Sequence, residues 1–280
     1  MAVPCGDSNG FRHQYFPKMY QFAVVFMWFT TLSSVVREYE VGVDEAGRGP
    51  AIGPLVVCAI SLPRTDRDVL ANLGVDDSKR LSKKRREEIY GRIKHYSESR
   101  GWGIGLDICE PIEIDDWMDS GTLNSLEVMM FAKAIKLASE PSDVCSLFVD
   151  ACDINAERFG RRITSILGST WERCKMKSKH KMDSSDVIVG AASIIAKVTR
   201  DKEMEKLSEL IGFELGSGYP SDPITKSAIE ILCASTEPHP SLRWKWKNVQ
   251  RSWTSQNGGP MPNRSSDSGT SSQSTLGDWK

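Results

Sequence analysis

From Val41 to about Cys233 the chain alternates short β-branched runs with stretches of helical periodicity. That alternation admits a sheet covered by crossover helices, so the expected fold is α/β. Residues 41–44 and 55–62 read as strands joined by a Gly/Pro-rich turn, and so short a connection makes them antiparallel neighbours. Ser82 is placed to cap a helix running to about Tyr96, with Ile89 and Ile93 turned inward. Residues 102–108 read as a strand, Leu123–Ala138 as a helix through Leu126, Met130, Ala134 and Leu137, and Val144–Asp150 as a buried strand. Ala156–Leu167 is amphipathic through Phe159, Ile163 and Ile166, and residues 171–175 are expected as a short strand. From Asp186 a helix runs through Val187, Ala191, Ile194, Ile195 and Val198. A loop at residues 216–223 precedes a last helix. These elements make a mixed sheet between helices.

Two adjacent acids, Asp44 and Glu45, end the first strand, and Gly47-Arg48-Gly49-Pro50 follows at once. Carboxylates crowded at a buried strand end are costly without a cation. Asp150 ends another strand, and Asp183 stands just before a helix. In such sheets, sites gather beyond the carboxyl ends of strands. Several carboxylates around two cations about 4 Å apart are what a two-metal phosphodiesterase needs. Strand alternation points Asp44 and Glu45 to opposite faces, so both serve one site only if the strand has ended or bulged by Glu45. Asp150 and Asp183 also stand where helix N-caps can fall. Asp107, Asp153 and Asp201 are competitors, with Asp201 read as an ordinary salt-bridge partner.

A net charge of -1 provides no global attraction to nucleic acid, so any electrostatic footprint must be local. Lys79, Arg80 and Lys83 to Arg86 form one basic cluster, Lys175, Lys177, Lys179 and Lys181 a second. Arg243-Trp244-Lys245-Trp246-Lys247 interleaves cations with indoles. Such runs are either solvated faces or phosphate contacts that set register without reading sequence. The seven cysteines contain no CxxC pair, and the four histidines are isolated. Reduced thiols in a cytoplasm are therefore expected, and a metal held by oxygen, which points to magnesium or manganese. Residues 20–36 are uncharged and largely apolar but at the lower limit for a membrane span. They read as part of an N-terminal extension, residues 1–38, and no membrane role is expected.

Asp44-Glu45-Ala46-Gly47-Arg48-Gly49-Pro50 resembles the opening motif of type 2 ribonuclease H, ribonuclease HII. Asp77-Ser78-Lys79, Phe148-Val149-Asp150, His180-Lys181-Met182-Asp183, residues 191–201 and Gly216-Ser217-Gly218-Tyr219-Pro220 resemble further family elements in family order, Met182 standing where alanine is usual. Gly121-Thr122-Leu123-Asn124 makes the likeness archaeal. The resemblance implies a ribonuclease H-like mixed sheet flanked by helices, with a small C-terminal helical part, over residues 39–252. It implies cleavage of the RNA strand of RNA–DNA hybrids and at ribonucleotides embedded in duplex DNA, leaving 3′-hydroxyl and 5′-phosphate ends. Asp44, Glu45, Asp150 and Asp183 match its metal-binding catalytic acids. Gly47, Arg48, Gly49, Lys79 and Tyr219 match substrate-binding positions, with Tyr219 on the ribose 2′-hydroxyl. A site built to bond that hydroxyl rejects the sugar lacking it.

Residues 253–280 are rich in Ser, Gly, Asn and Pro and read as a disordered tail. The tail carries Gln273, Leu276 and Trp279 at the spacing of peptides that dock on sliding clamps, where one 3₁₀ turn puts Leu276 and Trp279 into an apolar pocket. A monomer with a sliding-clamp partner is expected. The alternative is a catalytically inactive nucleic-acid-binding protein recruited by the same peptide.

Overall fold

The computed structural model describes residues 38–75 and 81–264. Lys79 lies outside them, as do residues 20–36 and the tail residues Gln273, Leu276 and Trp279. One sheet of five strands runs in the order β3-β2-β1-β4-β5. β1 (Tyr39–Ala46) is antiparallel to β2 (Leu55–Pro63), and β2 is antiparallel to β3 (Gly103–Cys109). β4 (Val144–Asp150) is parallel to β1, and β5 (Lys175–Lys179) is parallel to β4. The sheet is thus mixed and opens with a hairpin, as expected from the short turn.

The helices are α1 (Arg67–Asn72), α2 (Lys83–Arg100), α3 (Pro111–Ser120), α4 (Leu123–Ala138), α5 (Ala156–Leu167), α6 (Val187–Ile211), α7 (Pro223–Leu232) and α8 (Lys247–Asn257). α4 and α5 cover one face of the sheet, where Val41, Val43, Leu147 and Val149 meet Phe131, Phe159 and Ile163. α6 and α2 cover the other, around Ile60, Ile89, Ile93, Ile188 and Ile195. Gly42 lets α6 lie against β1: a Cβ there would come within 2.5 Å of the Ile188 backbone. Asp186 caps α6, its Oδ1 accepting from the Ile188 and Val189 amides at 2.9 and 3.3 Å. This cap sets where the helix starts, and therefore how far Asp183 stands from the strand ends.

Several boundaries differ from expectation. Residues 171–175 are not a strand: Ser169–Trp171 is a 3₁₀ turn that buries Trp171 in the core, and the strand is Lys175–Lys179. The Lys-Met-Lys-Ser-Lys alternation, exposed and half-buried in turn, is its period-2 signal. α1, α3 and α8 stand outside the expected set. α1 is a six-residue helix, and α3 has Pro111 in its first turn and a capping box from Glu110 and Glu113. α8 is polar apart from its buried Val249 and Trp253, which pack with Leu242, Ala228 and Leu232, so tertiary burial holds it more than propensity. The expected boundary at residue 252 therefore falls inside a helix. The described residues continue to Arg264, whose guanidinium lies 3.0 Å from the buried Asp115 carboxylate. No helix among the described residues is long and apolar enough to cross a membrane.

Candidate active site

β1 delivers both of its acids without a bulge. Its pairing with β2 runs unbroken through Asp44↔Cys58, Glu45↔Val57 and Ala46↔Val56. Its ladder with β4, however, stops at Val43↔Val149. Asp44, Glu45 and Asp150 therefore sit just past the end of that ladder, where the sheet is open. Alternation still applies: carboxylate oxygens of Asp44, Asp150 and Asp183 lie within 4.8 Å of one another, whereas Glu45 groups with Glu127 and Cys152 on the same criterion. Glu45 nevertheless lines the same cavity, of about 400 Å³, as Asp44, Asp150 and Asp183. The strand needed only to end on its β4 side, not to bulge.

Local chemistry holds each acid in place. Asp44 accepts from the Glu45 amide at 2.8 Å. Ser193 on α6 also bonds the Asp44 carboxylate and pairs with Lys197 one turn on, and Lys197 itself favours the charged form. Burial, reinforced by Glu45, still pushes Asp44 well above the ordinary carboxylate range, and burial raises Glu45 as well. Asp150 accepts from the Met182 amide at 3.0 Å, which ties β4 to the 3₁₀ turn carrying Asp183. Lys181 enters that turn with φ of 56°, the one left-handed non-glycine residue among those described. Neither Asp150 nor Asp183 is a helix cap, since Asn155 caps α5 and Asp186 caps α6.

The Gly47–Gly49 turn is braced from beneath. Gly47 has φ of 93°, and a Cβ there would come within 2.6 Å of the Arg200 side chain and the Pro54 carbonyl. Arg243, fully buried, donates to the carbonyls of Gly47, Arg48 and Gly53 at 2.7, 3.1 and 3.0 Å. Arg48 projects sideways to α4, 2.8 Å from Glu127 and donating to the Asn124 side-chain Oδ1 at 2.6 Å. Burial raises Glu127 to about 7 despite that pairing. Opposite the turn, the Tyr219 ring packs on Gly49, with a Cβ there meeting its Cε1 at 3.4 Å. Arg200 lies over the ring at 5.5 Å and donates to the Ser217 carbonyl at 2.9 Å, which steadies the tyrosine loop.

Asp44, Glu45, Gly47, Arg48, Asp150, Asp183 and Tyr219 thus line one cavity, with Gly49 against the tyrosine. Arg86, Lys197, Arg200 and Asp201 join them. The sequence reading missed the first three as site residues. Lys197 and Arg200 stand one helical turn and two turns beyond Ser193, a spacing that could have found them. Asp201 has its expected ion pair, to Arg86 at 3.4 Å, but lies in the cavity wall. Asp107 and Asp153 pair elsewhere, with Lys133 and Arg158 at 2.5 Å each. The basic-indole run divides, because Arg243 is buried and holds backbone while Lys245 pairs with Asp119. Three oxygen donors so close together, two of them on side chains almost wholly buried, fit a hard divalent cation.

The ribonuclease HII family matches residues 41–249. A ribonuclease HII from Methanocella arvoryzae is 45% identical over 190 residues, which cover 68% of this chain and 80% of that one. The crystal structure of ribonuclease H2 from Pyrococcus horikoshii superposes with a TM-score of 0.70 at 34% identity, over 79% of this chain and all of that one. A PCNA–ribonuclease HII complex from Archaeoglobus fulgidus gives 0.66 at 36% identity, over 76% of this chain and 96% of that one. With the match running from β1 into α8, the chain belongs to the ribonuclease HII family, divalent-metal-dependent endoribonucleases that hydrolyse the RNA strand of RNA–DNA hybrids.

Proposed function

We propose that this ribonuclease HII also incises duplex DNA at single embedded ribonucleotides. The observation that carries this reading is that Tyr219, packed on Gly49, lines one cavity together with Gly47, Arg48 and the acids Asp44, Asp150 and Asp183. With one tyrosine beside the acids, selectivity in this reading rests on one 2′-hydroxyl and not on a run of them. Asp44, Glu45, Asp150 and Asp183 would hold two magnesium or manganese ions, which would supply charge neutralisation at the scissile phosphate and activate the attacking water. The backbone amides of the Gly47–Gly49 turn, whose carbonyls are held by Arg243 and Trp246, position the ribose and its phosphate, and Tyr219 donates to or accepts from the 2′-hydroxyl. Lys79 contacts a neighbouring phosphate. The products carry 3′-hydroxyl and 5′-phosphate ends.

The test is a duplex bearing one ribonucleotide, incubated with Mg²⁺ or Mn²⁺, with the product ends mapped. Intact duplex after incubation with the wild-type protein would sink the reading. Asp44→Asn is expected to lose about 10²–10³-fold in kcat while still binding the duplex, a loss typical of removing preorganised charge stabilisation. An all-DNA duplex should stay uncut.

Gln273, Leu276 and Trp279 dock the enzyme on a sliding clamp, a reading supported by the peptide spacing and by the PCNA complex formed by the Archaeoglobus relative. The Ser/Gly-rich segment before them serves as a tether. Removing residues 273–280 should abolish clamp binding in a pull-down and leave basal cleavage unchanged.

A further inference from the structure

The ladder register between β4 and β5 aligns Phe148 with Lys177 and Asp150 with Lys179. Side chains in register on neighbouring strands leave the same face of a sheet, and Lys175, two residues earlier, shares it. All three lysines are exposed, and Lys177 lies 4.9 Å above the Phe148 ring. The face is the one that α6 covers over β1 and β2, but the helix makes its main contacts there and barely reaches β4. The lysine stripe is therefore left open on an edge strand, and it leads directly to Asp150.

Its charge is also uncompensated. Some exposed cations of this nearly neutral protein meet acids, as Lys83 meets Glu205, Arg161 meets Glu157 and Lys206 meets Glu203. Among the described residues none of Lys175, Lys177 and Lys179 has an acid within 4 Å. Arg67, also over the Phe148 ring at 5.3 Å, pairs with Glu40 and Asp186 at 2.6 Å each, so these acids do not oppose an anion on the stripe. At roughly 3.3 Å per residue the stripe is about 13 Å long, or about four nucleotide rises of one strand.

We propose that Lys175, Lys177 and Lys179 form a track for the phosphates of one strand of the duplex substrate, extending its grip about four nucleotides to one side of the cleaved bond. The proposal rests on the hybrid-cleaving site described above, because it takes the direction of the track from Asp150. Such contacts are sequence-independent and set register.

The test measures binding of a labelled RNA–DNA hybrid by fluorescence anisotropy in EDTA from 50 to 200 mM KCl. It compares the full-length wild type, a Lys175→Gln/Lys177→Gln/Lys179→Gln variant, and Lys206→Gln as a paired-lysine control. Losing three phosphate contacts should flatten the slope of log K against log salt by about 2 to 3. Affinity at low salt should fall at least tenfold, while kcat at saturating hybrid and Tm stay those of the wild type. Shortening the duplex arm on one side of the site should weaken the wild type and leave the triple variant indifferent. An unchanged salt slope in the triple variant overturns the track. A wild type that leaves an embedded ribonucleotide uncut sinks the incision reading, while a flattened slope in the triple variant still supports the track.

Discussion

Arg243 shows how much one side chain can carry at the residue scale. Its guanidinium has left water entirely and replaced it with three backbone carbonyls, two of them from the Gly47–Gly49 turn, beneath the Trp246 ring at 4.9 Å. Burial lowers its pKa to about 9, which still leaves it protonated at neutral pH. Arg243→Leu would fill similar space but orphan those carbonyls, each costing about 1–3 kcal/mol when left unpaired in the interior. The expected loss is at least about 3 kcal/mol in urea unfolding, with cleavage falling in parallel. Stability within about 0.5 kcal/mol of wild type would show that the turn does not need its brace. From the sequence, Arg243 sat in a run of alternating cations and indoles and could as well have been a phosphate contact. Its burial depends on residues about 190 positions away, which no local pattern encodes.

At the scale of elements, the site depends on caps and turns more than on regular structure. The tyrosine loop is closed by Asp222, which accepts from the Ser217 amide at 2.7 Å and, as N-cap of α7, from the Ile224 amide at 3.0 Å. These bonds favour the carboxylate and hold Asp222 below its ordinary range. Its contribution is therefore complete above the unfolded value, near 4, and is lost as pH falls through the lower folded value. Asp222→Ala should cost about 1 kcal/mol of stability at pH 7 and raise KM for a ribonucleotide duplex several-fold, with a smaller change in kcat. The stability difference from wild type should shrink towards pH 3. A difference that does not change with pH would mean that the charge of Asp222 is irrelevant to the loop. The start of α6 at Asp186 was legible because a long apolar helix follows, although the sequence offered Asp183 as its cap and the structure gives Asp186. α8 was not, since only Val249 and Trp253 mark it and both owe their burial to a distant cluster.

For the whole molecule, the sheet brings carboxylates from β1, β4 and the turn before α6 to one open end, and α6 supplies cations from above. Asp44 and Glu45 keep their protons to higher pH in the folded chain than in the unfolded one. The folded state thus binds more protons, and the metal-free protein loses stability as pH rises from the ordinary carboxylate range towards the folded values. A divalent cation binds the deprotonated form and displaces those protons. Saturating Mg²⁺ or Mn²⁺ should therefore raise Tm more at about pH 8 than at about pH 5.5. Calorimetry at the two pH values checks this, and an equal gain at both would mean that the cation does not relieve the buried acids.

By itself the sequence determined the alternation of elements, the family, and which acids, glycines and tyrosine belong together, because periodicity and short motifs are local properties of the chain. The tertiary structure decided how adjacent acids share one site. The β4 ladder ends at Val43 while the β2 ladder continues, so Glu45 reaches the cavity from the opposite face of a straight strand. It also decided that Arg243 is a buried brace and that the lysines of β5 are an open stripe. Burial and register depend on which strand lies beside which, and that is settled only when distant segments pack.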